Sequence, residues 1–368
     1  MIKKFFVFGN IGKMSEVPKS GGQSSARRVI AGLRKMGYEV DTVSRRRCVM
    51  EGKIIHFLET QSFAIIDLFK ILKHVIWGNR KTSVFLMLTY GGKLVPYELI
   101  ITIVMRFLGY KSITYMKGGQ FVDFYNRGTK FYKWLVKKNM DLQAQVWFEG
   151  MPSLEIVKQI SNTHLVYYPN YLTDDIIVDP VPARDKDKLN LLYFGRVTPE
   201  KNVDVIIETF AILCKKYDDV YLTIIGGSGY SKSYVKEIDD MIENSPYKNH
   251  IIRKGLTPFN EIKAIMPSQH MYVFPSRERA EGHSNSLNEA MGQGLIPIVS
   301  DYHFNRAIVA DDRLIVDSFE PQAYADKISY IRENCDLQEI SINMRNRVRD
   351  NFSYDIVNNR IYNELQKL

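Results

Sequence analysis

Short apolar runs alternate with longer amphipathic segments along most of this chain. In the first half, the runs that predict strands are residues 2–8, 39–44, 83–88 and 112–116. In the second half they are residues 189–194, 220–225, 250–253, 271–274 and 296–300. The segments between the runs repeat apolar residues at helical spacing. This alternation predicts an α/β protein with parallel sheets and helices on both sheet faces.

The alternation stops between residues 171 and 188, where aspartates and prolines cluster. Such residues favour turns, so we place a boundary there between two doubly wound, Rossmann-like domains, 1–172 and 173–350. The length of 368 residues also suits two domains. Ligands of parallel sheets bind outside the carboxyl ends of the strands, and we expect the site in a central cleft that the two domains face.

The composition is that of an ordinary soluble protein, with 45% apolar and 25% charged residues. This excludes a disordered chain. Three distant cysteines, Cys48, Cys214 and Cys335, exclude a disulfide framework and suit a reducing cytoplasm. The N-terminal apolar run is too short for a signal peptide, and the most apolar stretch, 94–108, contains two charges. We therefore expect a cytoplasmic protein.

The net charge of +9 is unevenly divided. Residues 1–170 hold 26 Lys and Arg against 11 Asp and Glu, whereas residues 171–368 hold 24 against 30. The first half thus carries a net +15 and the second a net −6. Such asymmetry suggests a polyanionic partner for the first half alone, with nucleic acid, anionic lipid and phosphorylated substrates all open.

Two glutamates, Glu281 and Glu289, bracket a run of small polar residues that begin helices. We expect Glu281 in a loop and Glu289 about one turn into a helix. The first turn of that helix would offer N–H groups and positive dipole character to an anion or a sugar hydroxyl. The alternative interpretation is a polar helical turn with solvated glutamates.

A second group of residues follows the strand at 189–194. Gly195 ends the strand, and Arg196 and Lys201 flank a turn that contains proline. Arginine suits bidentate phosphate contact and lysine supplies a compact charge, although two exposed loop residues would give the same pattern. Glycines after other strands, Gly227 and the pair Gly21-Gly22, allow a close approach of backbone to phosphate or simply turn the chain. The dinucleotide spacing G-x-G-x-x-G is absent.

Together these residues resemble the retaining glycosyltransferases of family 4, which have the GT-B fold. The segments that carry the resemblance are Gly195-Arg196, Glu200-Lys201, Phe274-Pro275-Ser276, Glu281 to Glu289 with Ala290-Met291, and Ile296–Ser300. The resemblance covers nearly the whole chain and is most specific in the second half. In such proteins a C-terminal helix, here 351–368, packs back towards the first domain.

The resemblance implies a role for each matching residue. Arg196 and Lys201 would hold the donor diphosphate and stabilise charge on the leaving nucleotide, and Glu281 would approach the donor sugar. Backbone N–H groups would bind sugar hydroxyls or phosphate, and they belong to His283, Ser284, Asn285 and Ser286. Glu289 would accept hydrogen bonds from ribose. Four glycines would admit the donor: Gly21, Gly22, Gly195 and Gly227.

The implied reaction is transfer of a sugar, with retention, from a nucleotide-sugar (we expect a UDP-sugar) to a lipid-linked or glycan acceptor in bacterial surface polysaccharide assembly. Arg196, Lys201 and a helix N-terminus would stabilise the departing charge without a metal or other cofactor. No Asp-x-Asp site is visible. Relatives often carry a histidine where Lys117-Gly118-Gly119 stands, so we assign these three residues to the acceptor side.

The first half also predicts a membrane contact. Four lysines alternate with aromatic residues in a set made of Lys130, Lys133, Trp134, Lys137 and Lys138. Basic and aromatic residues together suit an anionic lipid surface, and the hypothesis is a peripheral position on the inner face of the cell membrane. A merely basic, solvated surface is the alternative. We interpret the apolar stretch 96–108 as a core helix and not as a lipid contact.

Two other functions fit the same sequence. A nucleotide-sugar 2-epimerase shares the two-domain fold and would act on its donor without an acceptor. A non-catalytic membrane-binding module would account for the basic half alone. Elements that read nucleic-acid sequence are not recognisable, so we expect no nucleic-acid partner.

Overall fold

The computed structural model describes residues 2–16, 21–46, 53–89, 91–184, 187–229 and 231–368. Of the residues discussed above, Cys48 lies outside these ranges. Over the described residues the strands form two six-stranded sheets, and every pairing is parallel.

The chain divides into two compact units, Met1–Asn170 together with Val357–Leu368, and Tyr171–Ile356. The last residues of the chain therefore belong to the first unit. The final helix begins in the second unit, at Tyr354, and ends in the first.

The first unit has the strand order β2-β1-β3-β4-β5-β6. Its strands are β1 (Lys4–Gly9), β2 (Glu39–Ser44), β3 (Ser83–Thr89), β4 (Lys111–Met116), β5 (Gln145–Phe148) and β6 (Leu165–Tyr167). Its helices are α1 (Gly21–Lys35), α2 (Lys53–Val75), α3 (Val95–Phe107), α4 (Gln120–Arg127), α5 (Lys130–Asp141) and α6 (Met151–Lys158).

The second unit has the strand order β12-β11-β10-β7-β8-β9. Its strands are β7 (Leu189–Phe194), β8 (Val220–Ile225), β9 (Ile251–Lys254), β10 (Met271–Phe274), β11 (Ile296–Ser300) and β12 (Ile315–Val316). Its helices are α7 (Val203–Cys214), α8 (Lys232–Glu243), α9 (Phe259–Ile265), α10 (Asn285–Gly292), α11 (Asn305–Val309), α12 (Pro321–Asn334), α13 (Leu337–Phe352) and the first residues of α14 (Tyr354–Gln366).

The predicted strands agree best where the apolar run is continuous and sharply bounded. Strands at 39–44, 189–194, 220–225, 271–274 and 296–300 have the same bounds in sequence and structure. Three strands were not predicted, and they are β5, β6 and β12, of four, three and two residues. Runs this short carry no measurable alternation, so only their sheet partners define them.

The structure corrects the interpretation of residues 96–108 as a core helix. Helix α3 buries one side, which includes Ile101 and Met105, but its opposite side is exposed. Three large apolar residues lie on that exposed side, and they are Ile100, Ile103 and Phe107. A helix that is apolar all round gives no periodic signal, so the sequence does not separate an inner from an outer side.

Two glycines allow neighbouring strands of the second sheet to end close together. Gly195 follows β7 and Gly226 follows β8, and the two strands pair in register up to Phe194 and Ile225. A Cβ placed on Gly226 would lie 1.7 Å from the carbonyl oxygen of Gly195, and Gly226 has φ of 152°. Only glycine fits there, because the obstacle is backbone.

We expect Gly226→Ala to lower the free energy of unfolding by at least about 3 kcal/mol, because the added methyl group forces β7 and β8 apart. Gly227→Ala is the matched control. Its new Cβ would meet only Leu256, at 3.6 Å or more, so its expected cost is below about 0.5 kcal/mol. Urea unfolding followed by circular dichroism measures both. Equal midpoints for wild type and Gly226→Ala would contradict this account.

Candidate active site

Three adjacent strands of the second sheet, β10, β7 and β8, end at the same edge because they are parallel. The loops that follow them start at Pro275, Gly195 and Gly226. This edge is where open parallel sheets bind ligands. The topology therefore brings together the two motifs that the sequence analysis treated separately.

Arg196 presents a half-exposed guanidinium at this edge. Its backbone is held because the Tyr193 hydroxyl donates to the Arg196 carbonyl oxygen at 2.6 Å. The guanidinium Nη2 donates to Glu278 Oε2 at 3.1 Å. A carboxylate thus occupies the planar donor face that suits a phosphate.

Lys201, by contrast, is almost fully buried. It ends a short 3-10 turn at Pro199–Lys201, and the next residue, Asn202, has a left-handed backbone with φ of 49°. The Asn202 side chain secures this turn by donating from Nδ2 to the Pro275 carbonyl oxygen at 2.8 Å. The loop after β7 is thereby tied to the loop after β10.

The Lys201 ammonium contacts the Glu281 carboxylate and lies 3.4 Å from Ser276 Oγ. It also lies 5.0 Å from the centre of the Phe274 ring. Burial, and after it the neighbouring Arg196 guanidinium, lowers the pKa of Lys201 to about 7. The contact with Glu281 acts in the opposite direction, because a nearby anion favours the protonated amine. A bound diphosphate would do the same.

The loop after β10 carries two carboxylates, and each pairs with a different cation. Glu278 faces Arg196, and Glu281 faces Lys201. The Glu281 N–H donates to the Glu278 carbonyl oxygen at 3.0 Å, which joins the two positions in one tight turn. The site therefore contains two cations, each neutralised by its own carboxylate.

Helix α10 begins directly after this loop. Ser284 is its N-cap, and the Ser284 Oγ accepts from the Leu287 N–H at 3.5 Å. Ser286 Oγ lies 2.9 Å from the Tyr272 hydroxyl, which links the first helical turn to β10. The N-terminus of α10 thus lies at the edge that carries Arg196 and Lys201, with its dipole directed there.

His283 and Glu289 are both buried. The His283 ring packs edge-on against Phe352 with ring centres 4.5 Å apart. The ring is thus engaged in packing, and the role predicted for His283 rests on its backbone N–H. Glu289 lies within the second turn of α10 beside Asn288, which is also buried. The expected helix position of Glu289 agrees with the structure.

The remaining predicted positions lie in the first unit. Gly21 and Gly22 open α1, which follows the strand β1 and its loop. An added Cβ at Gly21 would meet nothing within 4 Å, so packing alone does not require a glycine there. The assignment of both glycines to donor binding stays a prediction.

Lys117 is enclosed at the end of β4. Its ammonium lies 3.7 Å from Glu149 Oε1 and 4.2 Å from the centre of the Tyr115 ring. Burial lowers the pKa of Lys117, and Glu149 counteracts this. Glu149 Oε2 also accepts from the Gly118 N–H at 2.7 Å, and Gly119 is the N-cap of α4. The three residues predicted for the acceptor side thus form a turn that a hydrogen bond to Glu149 holds in place, and the Lys117 side chain is buried there.

The predicted membrane residues all lie on α5. Lys130, Trp134, Lys137 and Lys138 are exposed and Lys133 is partly exposed. Lys137 pairs with Asp141 at 2.9 Å, and Lys133 lies 5.2 Å from the centre of the Tyr125 ring.

Glu278 and Tyr272 are site residues that sequence reasoning missed. Glu278 stands in the run Ser-Arg-Glu-Arg, where alternating charges suggest an ordinary solvated loop. Tyr272 lies inside an apolar strand and looks like a core residue. The sequence points to Glu278 or Tyr272 only once β7 and β10 are known to be neighbouring strands.

Two features are absent from the part of the chain that the structure describes. Within it, no group of three or more His, Cys, Asp and Glu side chains is arranged to hold a metal ion. Within the same residues, no helix combines the length and apolar character needed to cross a membrane.

Comparison with known families bears on the second unit. Residues 176–351 match the family described as "Glycosyl transferases group 1". The chain is 28% identical over 148 residues to the uncharacterized glycosyltransferase YqgM of Bacillus subtilis, covering 37% of this chain and 38% of YqgM. It is 26% identical over 177 residues to the uncharacterized glycosyltransferase MJ1069 of Methanocaldococcus jannaschii, covering 47% and 44%. The matches span less than half of either relative.

Solved structures resemble the whole chain. A sucrose-phosphate synthase from Thermosynechococcus elongatus superposes with a TM-score of 0.74 at 15% identity, over 99% of this chain and 98% of that one. HepE of Anabaena, in complex with UDP, superposes with a TM-score of 0.72 at 12% identity, over all of both chains. This likeness shows the predicted fold class, an α/β protein of the two-domain GT-B type.

Proposed function

We propose that this protein is a glycosyltransferase that uses a nucleotide-sugar donor. The observation that carries the proposal is the pair of cations, Arg196 and Lys201, at the carboxyl edge of the second sheet beside the N-terminus of α10. The group 1 glycosyltransferase domain at 176–351 contains all of these residues and supports the proposal.

The chemistry follows from the charge that develops in the reaction. As the bond between sugar and diphosphate breaks, negative charge builds on the departing phosphate oxygen and positive charge on the sugar. Preorganised cations near that oxygen stabilise the transition state. Arg196 is half-exposed and suited to two phosphate oxygens, whereas Lys201 is buried, where its charge acts through a low dielectric.

Glu278 lies on Arg196 where a phosphate oxygen would bind, and Glu281 lies beside Lys201. When the donor binds, a phosphate would replace the Glu278 carboxylate as the partner of Arg196. Glu281 would remain beside Lys201, where its carboxylate can face the positive sugar. Glu289 would accept hydrogen bonds from ribose, and the N–H groups of 283–286 would bind the sugar or phosphate.

We propose retention of configuration at the anomeric carbon and transfer without a metal ion. Arg196, Lys201 and the α10 dipole supply the positive charge that a divalent cation provides elsewhere. NMR of the first-formed product tests the stereochemistry: the product should have the same anomeric configuration as the donor. Inversion, or loss of transfer in excess EDTA, would refute this part.

A UDP-sugar is the donor that we propose. HepE is described in complex with UDP, and a further structural neighbour is described as a UDP-forming trehalose-phosphate synthase from Burkholderia xenovorans. A thermal-shift screen of nucleoside diphosphates tests this choice, because a ligand that binds only the folded state raises the melting temperature. UDP should raise it more than GDP or ADP. No shift with any nucleotide would count against the site itself.

For the acceptor, we propose a lipid-linked or glycan acceptor of bacterial surface polysaccharide assembly, met at the inner face of the cell membrane. The support is the basic first unit, and in particular the lysines and Trp134 of α5. A nucleotide-sugar 2-epimerase is the second candidate, because it needs the same donor site. It would convert or hydrolyse donor in the absence of any acceptor, whereas a transferase requires one.

A further inference from the structure

Helices α2, α3 and α5 of the first unit lie on the same face of its sheet. The connections from β2 to β3, β3 to β4 and β4 to β5 all advance in the same direction across the strand order. Right-handed crossovers therefore place their helices on the same face. Ile71 and Val75 of α2 share a core cluster with Ile101 and Met105 of α3, and α3 packs against α5.

The outer side of the middle helix is apolar. Ile100, Ile103 and Phe107 are spaced three and four residues apart, so they form one stripe along α3. Phe107 is 89% exposed. Exposure of such a stripe to water forgoes the free energy that its burial would provide. An exposed apolar stripe therefore indicates a contact surface.

The flanking helices extend this apolar surface. The exposed large apolar residues on and just after α2 are Ile65, Phe69, Ile76 and Trp77, and those on α5 are Phe131 and Trp134. Trp77 is 91% exposed. The Tyr110 hydroxyl donates to the Val75 carbonyl oxygen at 2.5 Å, and this bond joins the ends of α3 and α2. Trp77 and Phe107 thus lie at the same end of the helix layer.

Exposed basic residues surround this surface, whereas its carboxylates are buried, partly buried or paired. The exposed basic residues on these helices and the segments just after α2 are Lys73, Arg80, Lys81, Arg106, Lys130, Lys137 and Lys138. Among the described residues of the three helices, Asp67 and Glu98 are buried, Glu59 is partly buried and Asp141 pairs with Lys137. The outer face therefore combines exposed apolar side chains with net positive charge.

We propose that this face, the outer side of α2, α3 and α5, inserts into the headgroup region of an anionic phospholipid bilayer. The proposal rests on the membrane association proposed above, and it adds the apolar side chains of α2 and α3 to the lysines of α5. Tryptophan at the margin of an apolar stripe and lysine or arginine around it suit the bilayer interface.

A bilayer fits this face better than a second copy of the chain does. A twofold dimer would place the same patch against itself, and the surrounding cations would then face one another. An anionic lipid surface instead attracts and neutralises them. The apolar residues also spread over three helices, which suits an extended surface.

Vesicle co-sedimentation tests the proposal with a matched pair of variants. Ile103→Glu places a carboxylate on the stripe of α3, and Tyr330→Glu places one on α12 of the second unit, where the side chain is similarly exposed (50% and 55%). With vesicles of phosphatidylcholine and phosphatidylglycerol, Ile103→Glu should weaken binding at least about tenfold, because it removes an apolar contact and adds repulsion. Tyr330→Glu should bind like wild type.

Tryptophan fluorescence gives an independent readout. Of the three tryptophans, Trp77 and Trp134 are exposed on this face, whereas Trp147 is fully buried. Brominated phospholipids should quench Trp77 and Trp134, so quenching should fall in Trp77→Phe and fall further when Trp134→Phe is added. Trp147 remains as an internal reference that lipid does not reach.

The proposal is overturned if Ile103→Glu and Tyr330→Glu bind vesicles equally, if Trp77 is not quenched, or if the face instead holds two copies together in solution without binding vesicles. Sedimentation equilibrium of wild type and Ile103→Glu detects the last case. These assays contain no nucleotide. The thermal shift with UDP reports on the second unit and should be unchanged in Ile103→Glu, so a failure of lipid binding is distinguishable from a failure of the donor site.

Discussion

Lys201→Ala should lower the rate of sugar transfer by about a thousandfold, since removal of one preorganised donor of positive charge from a water-excluded site has an effect of this size. In the proposed reaction the buried ammonium faces the position where phosphate charge develops, and the loops after β7 and β10 offer no second buried cation among the residues described. We expect the loss mainly in kcat, because the interaction strengthens as the leaving group departs.

The fold should survive this change. The Glu281 side chain, which loses its partner, retains 19% exposure, so water can hydrate the carboxylate. Lys236→Ala is the control, because Lys236 lies on α8 of the same unit, is exposed and pairs with Asp240 in the next turn. It should transfer sugar at the wild-type rate. Wild-type activity in Lys201→Ala would refute the assigned site.

Glu281→Gln should lower transfer by about a hundredfold or more, whereas Glu278→Gln should not. The two residues lie in one turn, and each pairs with one cation of the site. In the proposed reaction Glu281 stays beside Lys201 when donor binds, and its negative charge faces the sugar as positive charge develops there. An amide of the same shape lacks that charge.

Glu278 has the opposite relation to the donor, because its carboxylate competes with phosphate for Arg196. Glu278→Gln weakens this competition, so we expect UDP to bind it a few-fold more tightly than it binds wild type. Calorimetric titration with UDP and steady-state transfer rates measure the two variants side by side. Equal effects of the two substitutions would contradict the separate roles assigned here.

Much of the fold could be predicted because its strands are continuous apolar runs between clear turns. The second unit shows this best: β7, β8, β10 and β11 have their predicted bounds. Short strands such as β5 and β12 depend on their neighbours for definition, and local sequence does not report neighbours. Between β2 and β3 helical periodicity is clear in the sequence only from residue 63 onward, whereas α2 begins at Lys53, so the sequence alone does not place the start of this helix.

The candidate site, like the fold, could be predicted from the sequence only in part. Residue type, spacing and the family resemblance together predict Arg196, Lys201 and Glu281 as site residues, since charges next to strand ends are visible in sequence. Their partners were not predicted, because the contacts of Arg196 with Glu278 and of Lys201 with Glu281 join positions about 80 apart in the chain. The outer stripe of α3 was missed for another reason: the helix is apolar on both sides, and only burial in the fold tells them apart.

The most direct test of the central claim is transfer of labelled sugar from a nucleotide-sugar into a lipid extract, with wild type and Lys201→Ala compared. We predict that wild type moves label from at least one UDP-sugar into the organic phase, and releases UDP only when the extract is present. Lys201→Ala should do neither. Conversion of donor without extract, or equal transfer by wild type and Lys201→Ala, would contradict the claim that this protein is a glycosyltransferase with its donor site at Lys201.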